Sequence, residues 1–223
     1  MAERPLTQRK ALGSYYTDPL VVDFLVGWGM RLSAGIVMDP ACGDGRFLAR
    51  AADLGAAGLI GCDLDPRAIS RTGELLAGCG VEHSIFDLDF FSLAPADYRP
   101  VDLIVGNPPF VRFQHFAGES RSRALQSALR TGARLSRLTA SWAPFLLHAL
   151  QFLRAGGGMA MVVPAELAQT SYGVTTLQAL CSNFARISLL SFCRNWFADA
   201  QQETFLLLAE GKGGAAAPQS SSH

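Results

Sequence analysis

The chain has little that could organise it around covalent cross-links or a metal. Its five cysteines are an odd number with no Cys-x-x-Cys pair, which argues against a disulfide framework or a zinc site. The four histidines, His83, His115, His148 and His223, are scattered and suggest no metal. No apolar run reaches the roughly 20 residues needed to span a bilayer. The first residues, Met1-Ala2-Glu3-Arg4-Pro5-Leu6, lack the apolar core of a signal peptide, so no membrane partner and a cytoplasmic location are expected. A Gly-x-Gly-x-x-Gly phosphate-binding turn and the lysine of a nucleotide-triphosphate loop are also missing. There is no internal repeat.

What is present suits one folded domain of 223 residues, with 49% hydrophobic and 17% charged residues. The formal net charge is zero, but its halves differ. Residues 1–110 hold nine Lys/Arg against fourteen Asp/Glu, and residues 111–223 hold ten against five. Six arginines and one acid, Glu119, lie between Arg112 and Arg137. Such a stretch could track the phosphates of a nucleic acid or be a solvated helix face.

Hydrophobic periodicity and punctuation predict alternating strands and helices. Thr17-Asp18-Pro19 is a helix start, with the helix running to about residue 32. Strands are expected at 36–38, 58–62, 82–86, 101–105 and 159–163. Helices are expected from Arg46, from Asp65-Pro66 to about 77, at 121–130 and at 140–153, with 177–184 part of another. The triplet Gly156-Gly157-Gly158 should stop the helix before it. Two closing strands, 187–190 and 204–208, suggest an antiparallel edge. Residues 211–223, rich in Gly, Ala and Ser, should form a flexible tail behind a domain of residues 1–210. The sum is an α/β fold with a doubly wound, mostly parallel sheet.

In such a sheet, ligands bind at the carboxyl ends of strands where strand order reverses. The first strand runs into Asp39-Pro40-Ala41-Cys42-Gly43-Asp44-Gly45-Arg46-Phe47. Its glycines allow a tight turn and close approach to a ligand. Its acids would repel a phosphate and favour an amine-bearing, cationic ligand. The second strand ends in Asp63, placed to read ribose hydroxyls, while Asp65 caps the next helix. The third leads to Asp87-Leu88-Asp89-Phe90-Phe91, where Asp89 could accept an adenine amino hydrogen and Phe90 pack on the ring. Together these strand ends describe a pocket for a ribonucleoside without phosphates and with a positive tail. S-adenosylmethionine fits that description.

The fourth strand ends in Asn107-Pro108-Pro109-Phe110. Two prolines fix φ and remove two backbone donors. An amide, free carbonyls and a flat ring remain, a set suited to accept hydrogen bonds from an exocyclic amino group and stack on its heterocycle. The tetrapeptide alone would also serve as an ordinary Asx-Pro turn.

In order along the chain, Gly13-Ser14-Tyr15-Tyr16-Thr17-Asp18-Pro19, the Asp39–Phe47 motif, Gly61-Cys62-Asp63-Leu64-Asp65-Pro66, Asp89-Phe90-Phe91 and Asn107-Pro108-Pro109-Phe110 resemble the motifs of amino-group DNA methyltransferases. The arrangement is similar to the γ class of N6-adenine methyltransferases, which includes many restriction–modification enzymes, and covers roughly residues 13–209. The resemblance implies the class I S-adenosylmethionine-dependent methyltransferase fold with a seven-stranded sheet. It implies that Tyr15, Tyr16 and Thr17 line the methionine end of the cofactor and Asp39, Ala41 and Gly43 its centre. Asp63 would hold the ribose, and Asp89 with Phe90 the adenine ring. Asn107, Pro108, Pro109 and Phe110 would be the catalytic corner, with Phe110 and Phe197 stacking on the target base; Trp196 and Phe197 would equally suit hairpin packing. Asp18 departs from the family pattern, where a proline is usual. Longer members carry a separate, usually C-terminal, domain that reads DNA sequence. None is expected within these residues, so a separate recognition subunit, an isolated catalytic domain or a remnant are the alternatives.

The chemistry so implied is transfer of a methyl group to N6 of a flipped-out adenine in DNA. No Pro-Cys pair is present, so the nucleophilic cysteine of a cytosine-C5 mechanism is not expected. Rival substrates are RNA bases or a protein glutamine. A rival of another kind is a non-catalytic cofactor-binding subunit of a modification complex.

Overall fold

A computed structural model describes residues 17–191 and 203–214. The first helix, α1 (Pro19–Leu32), begins as expected: the Asp18 side chain accepts from Leu20 N at 2.8 Å and Pro19 occupies the first turn. Val21, Val22, Leu25, Val26 and Gly29 form its buried stripe. There follow β1 (Ile36–Asp39), α2 (Arg46–Asp53), β2 (Gly58–Asp63), α3 (Pro66–Leu76), β3 (His83–Asp87) and β4 (Val101–Gly106). Asp65 caps α3 through Arg67 N, as its position implies. The second half contains α4 (Gly118–Arg130), α5 (Trp142–Ala149), β5 (Leu153–Pro164), α6 (Glu166–Gln169), α7 (Ser171–Cys181), β6 (Phe184–Ser191) and β7 (Thr204–Lys212).

The seven strands form one sheet in the order β3-β2-β1-β4-β5-β7-β6. Strands β1 to β5 are mutually parallel, and β7 runs antiparallel to both β5 and β6. From β1 the chain winds outward through β2 and β3, then returns to the other side of β1 for β4. The cleft at the carboxyl ends of β1 and β4 is therefore the topological switch point. Alternate residues feed two cores. Met38, Ile104, Met159 and Leu207 face the side covered by α4, α5 and α7. Val37, Leu103, Ala160 and Leu206 face the side covered by α1, α2 and α3.

Four expectations need correction. The helix expected over 140–153 ends at Ala149, followed by a 3-10 turn at Leu150–Phe152. The Gly triplet does not stop it; it lies inside β5, where the register with β4 jumps between Val101↔Leu153 and Leu103↔Gly158. Gly156 has φ 76, a left-handed value that favours glycine and lets the strand bulge. The helix expected to include 177–184 spans Ser171–Cys181, so it ends three residues early and Phe184 begins β6. The antiparallel edge expected from the two closing strands is present: β6 lies outermost and pairs antiparallel with β7, which sits between β5 and β6. Leu206, Leu207 and Ala209 of β7 are fully buried, as an interior strand requires. Finally, β7 extends through Lys212, so Gly211 and Lys212 belong to the sheet and not to a tail.

Candidate active site

The Gly-rich turn between β1 and α2 is held by its neighbours. Cys42 N donates to Cys62 O at 3.0 Å, Gly43 N to Asp63 Oδ2 at 2.9 Å, and the buried Thr72 hydroxyl to Gly43 O at 3.0 Å. At the end of β1, Asp39 is 1% exposed. Its Oδ1 accepts from Ala41 N at 3.1 Å, and its Oδ2 is buried with no hydrogen-bond partner. Burial foremost, with the charges of Asp63 and Asp44 adding, pushes its carboxyl up to about 8. Gly106, the last residue of β4, has φ 145, and a Cβ there would lie 2.5 Å from Asp39 Oδ1. The glycine thus lets the ends of β1 and β4 meet around this acid.

Asp63 accepts from Gly43 N and Asp65 N, each at 2.9 Å, tying the first two strand-end loops together. Burial raises its pKa. Each carboxylate oxygen keeps a second lone pair for a ligand. Leu88 N donates to Asp63 O at 3.1 Å, which brings the third strand-end loop alongside. There Asp89 caps a 3-10 turn, accepting from Phe91 N at 3.1 Å. Phe90 departs from expectation. Its ring is 4% exposed and packs on Phe145, His148 and Phe152 at 4.8, 4.6 and 5.4 Å between centroids. It is a core anchor for the loop carrying Asp89, not a ring presented to the cleft.

The Asn107-Pro108-Pro109-Phe110 corner leaves β4 beside β1. Asn107 Nδ2 donates to Thr17 Oγ1 at 3.3 Å, leaving Asn107 Oδ1 buried and without a partner. The Ser141 hydroxyl donates to Pro109 O at 2.5 Å and accepts from Val111 N at 2.9 Å; Ser141 N donates to Val111 O. One buried serine thus fixes the backbone of the corner. Among the described residues, no donor reaches the Pro108 carbonyl. Phe110 is half-buried and touches both cores, which anchors its ring while leaving part of it accessible.

The residues expected from sequence therefore converge in part. Thr17, Asp39, Ala41, Gly43, Asp63, Asp89 and the corner lie on connected loops at the carboxyl ends of β1 to β4. Tyr15, Tyr16 and Phe197 lie outside the described residues. Sequence reasoning missed Thr72, Ser141 and the pair Asp44–Arg46, whose guanidinium makes two bonds to the carboxylate, at 2.9 and 2.6 Å. It also missed a buried relay behind Asp89. His148 Nδ1 lies 2.6 Å from the Ser127 hydroxyl, and its Nε2 lies 3.1 Å from Phe90 O. Burial foremost lowers the His148 pKa to about 4. The neutral ring therefore donates from Nε2 to Phe90 O and accepts from Ser127. Of the missed residues, Asp44 and Arg46 carried a sequence signal, through their place in the Gly-rich turn.

The acids suit a cationic or amine-bearing ligand. Burial, then the charge of Asp39, raises the Cys42 thiol well above its ordinary value, which disarms it as a nucleophile. Among the described residues no group of three or more His, Cys, Asp or Glu is placed to hold a metal.

Residues 3–171 match the N-6 DNA Methylase family model. The chain belongs to that family. The type II methyltransferase M.TthHB8I of Thermus thermophilus is 27% identical over 170 residues, covering 72% of this chain and 36% of that protein. The type IIG restriction endonuclease BpuSI superposes with a TM-score of 0.72 at 20% identity, over 92% of this chain and 26% of that one. A structure described as a class I S-adenosylmethionine-dependent methyltransferase from Listeria monocytogenes gives 0.67 at 16% identity, over 91% and 62%. The fold of this N-6 DNA methylase family member is thus the class I methyltransferase fold. The chain spans about a third of the length of the curated relatives it matches. Among its described residues no helix is long and apolar enough to cross a membrane.

Proposed function

We propose that the chain is the catalytic domain of a restriction–modification DNA methyltransferase acting on N6 of adenine. The observation that carries this proposal is the Asn107 carbonyl: buried, unpartnered and set in a proline-stiffened corner beside an acid-lined cleft. A buried acceptor without a donor costs free energy, roughly 1–3 kcal/mol. A planar amino group is the ligand that would relieve that cost.

The residues fit S-adenosylmethionine. Asp39, with its unpartnered Oδ2, would face the positive part of the molecule, with Ala41 and Gly43 beside it. Asp63 would take the ribose hydroxyls and Asp89 the adenine amino group. Thr17, with Tyr15 and Tyr16, would line the methionine end. When bound, the cofactor supplies an electrophilic methyl group on a sulfonium.

The protein's own part is positioning. Adenine leaves the duplex because its amino group is otherwise paired. Phe110, with Phe197 as a second wall, stacks on it, worth ~1–3 kcal/mol per base. Asn107 Oδ1 and Pro108 O accept the two amino hydrogens, which draws the nitrogen lone pair out of conjugation and directs it to the methyl carbon. Methyl transfer to that nitrogen would leave the donor as its neutral thioether, and one amino proton would pass to solvent. Arginines between Arg112 and Arg137 hold phosphates. Of these, Arg112, Arg123, Arg130, Arg134 and Arg137 are exposed. Sequence reading would then come from a separate subunit or another part of the protein.

The test is transfer of tritiated methyl from S-adenosylmethionine to genomic DNA, RNA and protein in parallel, followed by digestion to nucleosides and amino acids. N6-methyl-2′-deoxyadenosine in the DNA digest alone is the expected product. Label confined to RNA or to glutamine would move the substrate. Cofactor binding with no transfer to any of them would leave a non-catalytic subunit.

A further inference from the structure

Three elements that carry the site's chemistry meet at one threonine. Thr17 stands just before α1 and is 3% exposed. Arg46, from the Gly-rich turn, donates through Nη1 to the Thr17 carbonyl. Asp44 fixes that guanidinium with two hydrogen bonds, Nε to Oδ1 at 2.9 Å and Nη2 to Oδ2 at 2.6 Å. The Thr17 hydroxyl in turn accepts from Asn107 Nδ2 at 3.3 Å across 90 residues of sequence.

A primary amide has one donating end and one accepting end, and the partner of one end decides what the other can do. We propose that Thr17, braced by the Asp44–Arg46 pair, is the positioning residue that sets the orientation of the Asn107 amide. This inference rests on the role given to Asn107 above. A hydroxyl can serve either end of an amide, but once the Thr17 O–H donates to a ligand acceptor only its lone pairs remain for Asn107, so the amide nitrogen faces Thr17 and the carbonyl oxygen is the end left to accept. The opposite orientation would present an NH2 group to an incoming amino group, donor against donor.

The same hydroxyl can link Asn107 to the ligand. A threonine hydroxyl accepts two hydrogen bonds and donates one. Accepting from Asn107 leaves its own O–H to donate to a ligand acceptor such as an α-carboxylate. A chain from carboxylate to O–H to amide N–H polarises each successive bond. Occupancy of the cofactor site would then strengthen the Asn107 carbonyl as an acceptor, so that the corner is ready only when the methyl donor is present.

Two measurements on the full chain test this. The first is the single-turnover rate of methyl transfer at saturating S-adenosylmethionine, so that affinity does not enter. Thr17→Val, which keeps the shape and removes the hydroxyl, should slow it roughly 10- to 100-fold, the scale of a misplaced reacting group. Thr17→Ser should recover most of the rate. The second does not depend on activity: the Asn107 side-chain NH2 resonances in a 15N-labelled sample. In the wild type and Thr17→Ser they should exchange slowly with solvent and shift when S-adenosylhomocysteine is added. In Thr17→Val both properties should be lost. If Thr17→Val does not fold, Thr17→Ala carries the same expectations. An unchanged rate in a folded Val or Ala variant, or Asn107 NH2 signals indifferent to residue 17, would overturn the proposal. Intact resonance behaviour in a protein that transfers no methyl group would remove the methyltransferase function and leave the positioning contact standing.

Discussion

Asp39→Asn should make the ligand-free protein more stable and its cofactor binding weaker. The folded carboxyl titrates near 8 against an ordinary 3.8, with burial as the main cause. Between those values the folded chain keeps a proton that the unfolded chain loses. Stability therefore falls as pH rises from about 4 to about 8. Each pH unit in that window corresponds to about 1.4 kcal/mol, so ~4 kcal/mol is the upper limit at pH 7. Asparagine does not ionise in the unfolded chain and escapes this loss. Its NH2 at the unpartnered Oδ2 position brings two N–H donors where the protonated acid brings one O–H, and the extra unpaired donor offsets part of the gain. A gain on the order of 2–4 kcal/mol at pH 7 follows, or roughly 5–15 °C in Tm for a chain of this size. The gain should shrink towards zero near pH 4. Thermal unfolding by circular dichroism at three pH values between 4 and 7.5 measures it. Calorimetry should show S-adenosylmethionine bound at least about tenfold more weakly, since a charge-assisted contact is lost. Equal or lower stability of the variant at pH 7, without pH dependence, would refute the placement of a neutralised, functionally retained acid at the end of β1.

Asp63→Ala should weaken cofactor binding by roughly 1.5–3 kcal/mol, read by calorimetry; some loss of stability should accompany it, because Asp63 also accepts from Gly43 N and Asp65 N. Unchanged affinity would remove Asp63 from the site. Asn107→Ala should abolish methyl transfer while keeping cofactor affinity, and substantial turnover at saturation would make the corner structural only. The neutral, buried His148 should make the protein acid-sensitive. Its pKa falls from 6.5 to about 4 on folding, so stability drops as pH falls from about 6.5 towards 4. His148→Gln should flatten that slope in denaturant titrations, where at most about 1.4 kcal/mol per pH unit is at stake. An identical slope in the variant would show that other groups carry it.

Much of the fold and site is written locally. Asp18-Pro19 and Asp65-Pro66 start helices because a side-chain cap and a fixed φ act within one turn. The apolar runs Ile36-Val37-Met38 and Leu103-Ile104-Val105 declare buried strands for the same short-range reason. The acids and glycines that end these strands announce a cleft for a cationic nucleoside, because polar groups cluster there for little but a ligand. Asn107-Pro108-Pro109-Phe110 is likewise a self-contained chemical unit, and the order of the motifs points to the family.

What the sequence left open depends on partners far apart in the chain. Gly156-Gly157-Gly158 punctuates a helix and bulges a strand equally well; only pairing with β4 decides. Nothing local places β7 between β5 and β6, although its continuous run of buried leucines suits an interior strand. Phe90 could as well face a cleft as a core, and Phe145, His148 and Phe152 decide for the core. Ser141 carries no motif, yet it fixes the corner through bonds to Pro109 and Val111, about thirty residues away. The unpartnered acceptors of Asp39 and Asn107 exist only once the surrounding strands have closed over them. Short-range conformational preference set the elements and named the chemistry; burial and long-range hydrogen bonding decided which groups were left free to perform it.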